Sequence, residues 1–382
     1  MAVQRRPKKG TDKNGKVRWV GRYRDLSGKE HSKTFKTQKE AKNWVTKQEQ
    51  SVRDGSWIDP VNSKLTVKDI CERWLESSIR KDNTQHVYDV VVRLCITPIA
   101  DMPAQQLTPQ HVTQWHKDLI THGHWAEKVK PLKESSAKQS VRVLRTAFQW
   151  AVEEGLLAKN VVKPPKSTPS MSIDPDQIPP LADVQRVIKA LRKGGKTTEN
   201  AYAPAPTIAD VAETALMTGM RISEILGLVV GDVDMDAGII RVRKQLSPSF
   251  QKRVELKSPR SRRSIPIAAE LAPILIIHTL GKAPDDFLFT GGRGASVSQS
   301  HARRCMKRAR DHVDAPLVHF HALRHLFASS LLGAGVPVHE VADLMGHSSA
   351  ILLKTYAHVL PGATDRARAA ISSAVLCGQN AG

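Results

Sequence analysis

The feature that most constrains this chain is a proline-rich segment near its middle. Residues 163–180 read KPPKSTPSMSIDPDQIPP and contain six prolines. Proline fixes its own φ angle, lacks a backbone N–H and disfavours the helical conformation of the preceding residue, so a regular helix or a central strand cannot run through this segment. We therefore predict a linker at residues 164–180, with separately folded domains on either side. A chain of 382 residues is long enough for two or three domains.

The first 60 residues form a basic segment, with 16 Lys or Arg against 7 Asp or Glu. Alternating side chains predict strands at residues 16–25 and 31–37, followed by a helix at residues 38–54. The apolar helix residues that can cover one face of the sheet are Ala41, Trp44 and Val45. The side chains expected on the opposite face are Arg18, Arg22, Arg24 and Lys33. This face could contact nucleic-acid phosphates, or it could simply be solvated.

Residues 64–163 have helical periodicity and predict an all-α domain. Thr66 can cap a helix that extends through Glu76, and Thr108 followed by Pro109 indicates a second helix start. Ser135 or Ser136 is expected to open a third helix, at residues 137–154.

Residues 181–382 predict a mixed domain, mainly helical with one small sheet. Its strands are expected at residues 239–244, 254–257 and 263–267. The whole chain is thus expected to be multidomain and mainly α, with three domains at residues 1–60, 64–163 and 181–382. The first is a small β-sheet plus helix module, the second is all-α and the third is α+β.

The composition favours a polyanionic partner. The formal net charge is +21 and the sequence pI is about 10.0, which points first to nucleic acid, although a ribosome-associated protein or a protein of anionic membrane surfaces would also be basic. There is no apolar run of membrane-spanning length, and the four cysteines form no CxxC pair. We expect a soluble cytoplasmic protein that has neither a disulfide framework nor a cysteine zinc site.

Three stretches of the last domain carry the residues that could take part in a chemical reaction. They are TGMRISE at 218–224, HALRH at 321–325, and LMGH at 344–347 with Tyr356 nine residues after His347. Each stretch has an ordinary alternative: Arg221 and Glu224 could be a helix-surface pair, and a tyrosine near a C-terminus is usually packed. The spacing of His321 and His325 could suggest a zinc pair, but the metalloprotease pattern needs Glu where Ala322 stands.

Taken together, the three stretches resemble the tyrosine recombinases and phage integrases. That family has, in order, an Arg, a Lys on a β-hairpin, an HxxR motif, a His or Trp, and a nucleophilic Tyr about nine residues later. The residues that fill these places here are Arg221, Lys257, His321, Arg324, His347 and Tyr356. The resemblance covers roughly residues 180–370. More weakly, residues 65–162 resemble the family's core-binding domain and the first 60 residues its arm-binding domain.

The resemblance implies a role for each of these residues. Tyr356 would attack a DNA phosphodiester to form a 3′-phosphotyrosyl link, while Arg221 and Arg324 neutralise the phosphate. The remaining roles are proton acceptor for His321, proton donor to the leaving 5′ oxygen for Lys257, hydrogen bonding to the phosphate for His347, and support of the arginines for Glu224. Lys257 has rivals on the same predicted hairpin, namely Lys252, Arg260, Arg262 and Arg263. The family commonly has Asp and Thr at the non-catalytic positions that are Ala322 and Leu326 here.

The implied activity is site-specific integration and excision of a phage or mobile element. Its partners would be double-stranded DNA attachment sites and three further copies of the chain, forming a tetramer on DNA. A host DNA-bending protein and an excision factor are candidate accessory partners. Chemistry of this kind requires no cofactor, metal or ATP, and the sequence has no Walker A motif.

A segment at residues 363–376 with helical spacing is expected to dock on a neighbouring copy. A type IB topoisomerase and a catalytically inactive DNA-binding regulator are the alternatives.

Overall fold

The computed structural model describes residues 3–7, 17–25, 27–55, 57–59, 62, 64–123, 131–165, 175–196, 201–247, 252–291 and 294–356. The chain forms two compact units, Met1–Ser167 and Thr168–Gly382. Their boundary lies inside the segment at 164–180 that the sequence predicts as a linker. The further division of the first unit into domains at residues 1–60 and 64–163 stays a prediction.

The first unit begins with a three-stranded antiparallel sheet and one helix. The strands are β1 (Val3–Arg6), β2 (Arg18–Arg24) and β3 (Glu30–Phe35), in the order β1-β2-β3. Helix α1 (Gln38–Arg53) starts at Thr37, whose side chain accepts from the backbone of the third helical residue in a capping box. The sequence did not predict β1, because its four residues VQRR contain one apolar side chain and no alternation.

Helix α1 packs on the face of β2 that includes Gly21, as its apolar residues predict. A Cβ atom at Gly21 would lie 2.9 Å from Val45 Cγ2 and 3.0 Å from Trp44 Cε3, so glycine permits this close approach. Gly21 is directly opposite Lys33 in the sheet, and opposed residues of antiparallel strands point to the same face. Lys33 therefore lies on the α1 side, with its Nζ 5.7 Å from the Phe35 ring centroid. The prediction that Lys33 shares a face with the arginines is wrong, because it required a strand register that the sequence does not specify.

The opposite face of β2 carries the three predicted arginines. Arg18 and Arg24 are exposed, and Arg22 forms an ion pair of 2.7 Å with Glu30 on β3. Arg6 of β1 stands directly opposite Arg18, which adds a fourth cation to this face.

The rest of the first unit is helical, as predicted. Its helices are α2 (Val67–Glu76), α3 (Asp82–Val90), α4 (Pro109–Thr121) and α5 (Glu134–Glu153), and a π-helical turn, Val91–Cys95, continues α3. Thr66 and Thr108 cap α2 and α4 through side-chain hydrogen bonds, which confirms both predicted helix starts. Helix α5 begins three residues before the predicted start at Ala137, with Lys133 at its N-cap.

The helical part of the first unit has its own apolar core. Trp115 is 2% exposed, and its indole N–H donates to the carbonyl of Cys95 at 2.8 Å, so the one polar atom of this large side chain is satisfied. The largest other members of this core are Trp74, Ile70, Ile96, Leu119, Leu144 and Phe148.

The second unit combines eight helices of the described chain with short strands. The helices are α6 (Leu181–Lys193), α7 (Pro206–Thr218), α8 (Ile222–Ile225), α9 (Ala272–Thr279), α10 (Gln299–His312), α11 (Phe320–Gly333), α12 (Val338–Met345) and α13 (Ser349–Tyr356). The strands are β4 (Gly195–Lys196), β5 (Ala201–Tyr202), β6 (Val233–Asp234), β7 (Ile239–Val242), β8 (Lys244–Leu246), β9 (Arg253–Glu255) and β10 (Arg263–Pro266). This mixed architecture confirms the predicted fold class of the chain.

The strand predicted at residues 239–244 is two strands. Strand β7 lies in the centre of a three-stranded antiparallel sheet, in the order β10-β7-β6, whereas β8 pairs with β9 in a separate hairpin. The chain passes from the sheet to the hairpin at Arg243, and a hydrophobicity pattern cannot show such a change of partner.

Within the described residues, no helix is long and apolar enough to cross a membrane. The predicted docking segment at residues 363–376 lies outside the described residues.

Candidate active site

A glycine turn between α7 and α8 positions the first arginine of the site. Gly219 ends α7 in the left-handed region, with φ of 61°, and a Cβ atom there would lie 2.3 Å from Phe327 Cδ1. Both observations exclude a side chain at this position. The turn places Met220 in the core, fully buried, and Arg221 at the N-cap of α8 with its side chain about one-third exposed. The TGMR sequence is therefore a turn that directs one arginine outwards.

The buried carboxylate of Glu224 binds Arg221 through two hydrogen bonds. Its side chain is 1% exposed, and it accepts hydrogen bonds from the Arg221 backbone N–H at 2.9 Å and from Arg221 Nη1 at 2.7 Å. Burial by itself would raise the pKa of Glu224, but the charges of Arg263 and Arg221 outweigh that effect and lower the pKa to about 2. The carboxylate is thus charged at neutral pH and orients Arg221. This is the supporting role that the resemblance implies for Glu224.

Arg263 is a member of the site that the sequence analysis treated only as a rival of Lys257. It donates to the second oxygen of Glu224 at 2.8 Å and to the carbonyls of Leu344 and Ser261 at 2.6 and 3.1 Å. Its side chain is 5% exposed. Arg263 shares the inward-facing side of β10 with buried Ile265, and this alternation is the sequence signal that could have identified it.

Arg324, on the first turns of α11, is a buried cation. It is 1% exposed, donates to the Gly219 carbonyl and, at 2.5 Å, to the Met345 carbonyl, and lies 3.1 Å from His347 Nε2. Burial and the positive charge of Arg221 lower the pKa of Arg324 to about 9, so the guanidinium keeps its charge at neutral pH.

His347 follows Gly346, which ends α12 in the left-handed region with φ of 63°. Because Arg324 can only donate, His347 Nε2 accepts, and the ring proton of the neutral form is on Nδ1. Burial and the charge of Arg324 lower the pKa of His347 to about 4, which favours this neutral form. Nδ1 is buried and has no hydrogen-bond partner among the described residues, so the site contains an unused donor.

Tyr356 ends α13 in an enclosed position. It is 1% exposed, and its hydroxyl lies 2.5 Å from Nδ1 of His325 on α11. Burial raises the pKa of Tyr356 to about 12, although the charge of Arg324 acts in the opposite direction. The order of the motifs predicts Tyr356 in the site but not its partnership with His325, which depends on how α11 and α13 pack.

His321, the predicted proton acceptor, lies one helical turn before His325. The two ring centroids are 4.4 Å apart in an edge-to-face arrangement, and His321 is exposed. The ring is partly covered by its contact with His325, and this partial burial together with the nearby charge of Arg324 lowers the pKa of His321. His321 therefore adjoins the tyrosine through His325, and no hydrogen bond between His321 and Tyr356 is present.

Lys257 is exposed two residues beyond β9. Its ammonium forms no hydrogen bond or ion pair with the part of the chain that the structure describes. Two of its predicted rivals are engaged elsewhere, Arg263 with Glu224 and Arg262 with Glu255 at 2.8 Å. Lys257 is therefore open to a ligand, and its role at the leaving 5′ oxygen stays a prediction.

The arrangement concentrates positive charge. Arg221, Arg263 and Arg324 interact with one buried carboxylate, Glu224, so the cluster carries an excess of cations. Such an excess in a partly buried site favours an anionic ligand, and planar guanidinium groups suit the oxygens of a phosphate. Among the described residues, no group of three or more His, Cys, Asp or Glu side chains is arranged to hold a metal ion.

Comparison with known proteins identifies the family. Residues 182–362 match the model of the phage integrase family. The chain is 27% identical, over 91% of its length and 94% of the relative's, to a XerC-like tyrosine recombinase of Caldanaerobacter subterraneus subsp. tengcongensis. It is 23% identical to the integrase of Mycobacterium phage L5, over 85% of each chain.

Solved structures show the same fold. The Tn1549 transposon integrase in complex with a circular intermediate DNA superposes with a TM-score of 0.61 at 21% identity, covering 81% of this chain and 99% of that one. A lambda integrase dimer bound to a COC′ core site gives a TM-score of 0.53 at 19% identity, covering 90% and 93%. Together with the order and the geometry of Arg221, Arg324, His347 and Tyr356, the match over residues 182–362 identifies this part of the chain as a domain of the tyrosine recombinase, or phage integrase, family, and the solved structures show its fold.

Proposed function

We propose that this chain is a site-specific DNA recombinase that cuts and rejoins DNA through a 3′-phosphotyrosyl intermediate at Tyr356. The observation that carries the proposal is the excess of positive charge at Arg221, Arg263 and Arg324. Arg324 directly precedes His325 on α11, and His325 is the hydrogen-bond partner of the Tyr356 hydroxyl. A phosphodiester in this site would have its non-bridging oxygens neutralised by Arg221 and Arg324. The free Nδ1–H of His347 supplies a further donor to the same oxygens.

The reaction that fits these groups is an in-line displacement at phosphorus. The Tyr356 oxygen forms a bond to phosphorus, the bond from phosphorus to the 5′ oxygen breaks, and the tyrosine proton passes to His321. Lys257 protonates the departing 5′ oxygen. The new phosphotyrosyl bond keeps the energy of the broken bond, so rejoining to another 5′ hydroxyl requires neither ATP nor a metal ion.

The biological role we propose is integration and excision of a phage or mobile element. Support comes from similarity to a phage integrase and to a transposon integrase solved with DNA. We propose that the partners are double-stranded attachment-site DNA and, since lambda integrase was solved as a tetramer on a Holliday junction, a homotetramer. A host DNA-bending protein and an excision factor complete the proposed partners. The arginine face of the N-terminal sheet, with Arg18, Arg22 and Arg24, is a proposed phosphate contact, and Lys33 is not part of it.

The test is covalent capture. Wild-type protein and the Tyr356→Phe variant are incubated in EDTA with a nicked suicide substrate that carries the attachment site, and DNA-linked protein is detected on a denaturing gel. We expect an adduct from wild type and none from Tyr356→Phe. The matched control is Tyr202→Phe, because Tyr202 also has a buried hydroxyl and its removal should leave the adduct unchanged. Specific binding without any adduct would instead support a DNA-binding regulator.

A further inference from the structure

The hydroxyl of Tyr356 is bound to a residue to which no role has been assigned so far. Tyr356 Oη lies 2.5 Å from His325 Nδ1, and the two ring centroids are 5.7 Å apart. A protonated phenol donates to the imidazole nitrogen that carries no proton, so Nδ1 accepts and the proton of the neutral histidine is on Nε2. The bond joins α11 to the last residue of α13.

The bonded hydroxyl is enclosed. The ring of Tyr356 belongs to a small apolar core, separate from the main core of the second unit, whose other buried members are Ala328, Leu332, Val341, Ala342, Met345 and Leu352. The whole Tyr356 residue is 1% exposed, so a charged and strongly hydrated phosphodiester cannot reach the hydroxyl where it lies. The hydroxyl must therefore leave its present position before it can attack DNA.

The hydrogen bond stabilises the unreactive form of the tyrosine. Burial raises the pKa of Tyr356 to about 12, while burial and the charges of His321 and Arg324 lower the pKa of His325 to about 3. The proton therefore stays on the tyrosine oxygen as long as the two residues are in contact. His325 does not generate the phenolate in this arrangement.

Helix α11 holds the segment that ends with Tyr356 at two adjacent residues. Arg324 donates to the Met345 carbonyl, and His325 accepts from Tyr356. The arginine contact involves a group that also serves the phosphate site, whereas the hydrogen bond of His325 goes to the tyrosine and its ring packs edge-to-face on His321 at 4.4 Å.

We propose that His325 is a positioning residue that holds the Tyr356 hydroxyl in this enclosed resting position, and that strand cleavage begins when Tyr356 leaves His325. The second clause rests on the proposed function, since it takes Tyr356 as the nucleophile. The first clause concerns the free protein and can be tested without DNA.

The experiment compares two substitutions of the same residue. His325→Leu removes the acceptor and leaves the buried hydroxyl unsatisfied, which disfavours the enclosed position. His325→Asn keeps an acceptor oxygen close to the position of Nδ1. Leu326→Ala is the control for loosening of α11, because Leu326 packs on the main core of the unit rather than around Tyr356.

The first readout is the rate at which tetranitromethane nitrates Tyr356 in the DNA-free full chain, measured by mass spectrometry relative to half-buried Tyr88. We expect His325→Leu to raise this rate roughly two- to tenfold, as loss of one buried neutral hydrogen bond would allow. His325→Asn should stay close to wild type. The resting-position proposal is overturned if the leucine variant gains no more than Leu326→Ala, or if the asparagine and leucine variants behave alike.

The second readout is the single-turnover rate of adduct formation on the suicide substrate. We expect His325→Leu to form the adduct faster than wild type by a similar factor. A slower rate despite faster nitration would overturn the proposal, because His325 would then promote the attack. Faster nitration with no adduct from any protein, wild type included, would leave the resting position supported and reject the proposed function.

Discussion

Glu224 is a buried carboxylate on which two arginines of the site depend. It accepts from Arg221 at 2.7 Å and from Arg263 at 2.8 Å, and its side chain is 1% exposed. Removing one partner of a buried ion pair leaves the other charge uncompensated, which costs more than the pair itself contributes. Arg263 would lose its only carboxylate partner among the described residues and Arg221 its orientation.

We expect Glu224→Gln to lower the free energy of unfolding by about 3 kcal/mol at neutral pH. The ordinary pKa of the carboxyl is 4.5 and its folded value is about 2, so its ionisation stabilises the fold above pH 4.5 and that stabilisation is lost as the pH falls towards 2. Urea unfolding at several pH values checks this: the gap between wild type and variant should be constant near neutrality and shrink below pH 4.5. Glu213→Gln is a control at a more exposed ion pair with Arg192 and should cost less than about 1 kcal/mol. A gap that widens in acid would contradict the account.

At the scale of elements, strand register decides which cations of the N-terminal sheet share a face. Arg24 and Lys33 are both exposed and each carries one positive charge. Arg24 lies on the face away from α1, with Arg18 and Arg22, whereas Lys33 lies opposite Gly21 on the α1 side. The two residues are thus matched in charge and differ in direction.

If the arginine face contacts DNA phosphates, Arg24→Ala should weaken binding of the full chain to attachment-site DNA and Lys33→Ala should not. The plot of log binding constant against log salt concentration has a negative slope. For Arg24→Ala the magnitude of this slope should decrease by about one, since one phosphate contact releases about one counterion. Fluorescence anisotropy over a salt series measures both slopes. Equal losses from the two variants would mean that only the net charge matters.

The elements also show where sequence reasoning succeeds and where it fails. Helix starts at Thr66 and Thr108 were predictable because a cap is a local interaction between residues three apart. Strand β1 and the side of Lys33 were not, because both depend on pairing with β2, which the local sequence does not encode.

The candidate site divides in the same way. The order of motifs was enough to place Arg221, Arg324 and His347 in one site, and the structure brings them together. The contacts of Arg263 and His325 join segments that are distant in the chain. Arg263 joins β10 to α8, and His325 joins α11 to α13. Such contacts follow from tertiary packing, so a motif in one segment cannot reveal them.

At the scale of the whole molecule, the two units have separate apolar cores. Leu144 is fully buried in the core of residues 65–162, and Leu191 is fully buried in the core of the second unit. No residue that the structure describes belongs both to this core of the first unit and to the main core of the second. A cavity made in one core should therefore destabilise that unit while the other keeps its own packing energy.

We expect Leu144→Ala and Leu191→Ala each to cost about 3 kcal/mol, and each in its own unit. Hydrogen exchange followed by mass spectrometry of the full chain separates the two effects. Leu144→Ala should accelerate exchange in peptides from α2, α4 and α5 and leave α7 and α11 unchanged, and Leu191→Ala should do the reverse. If either substitution accelerates exchange in both units equally, the chain unfolds as one cooperative block, and the boundary near residue 167 marks a change in packing without independence of folding.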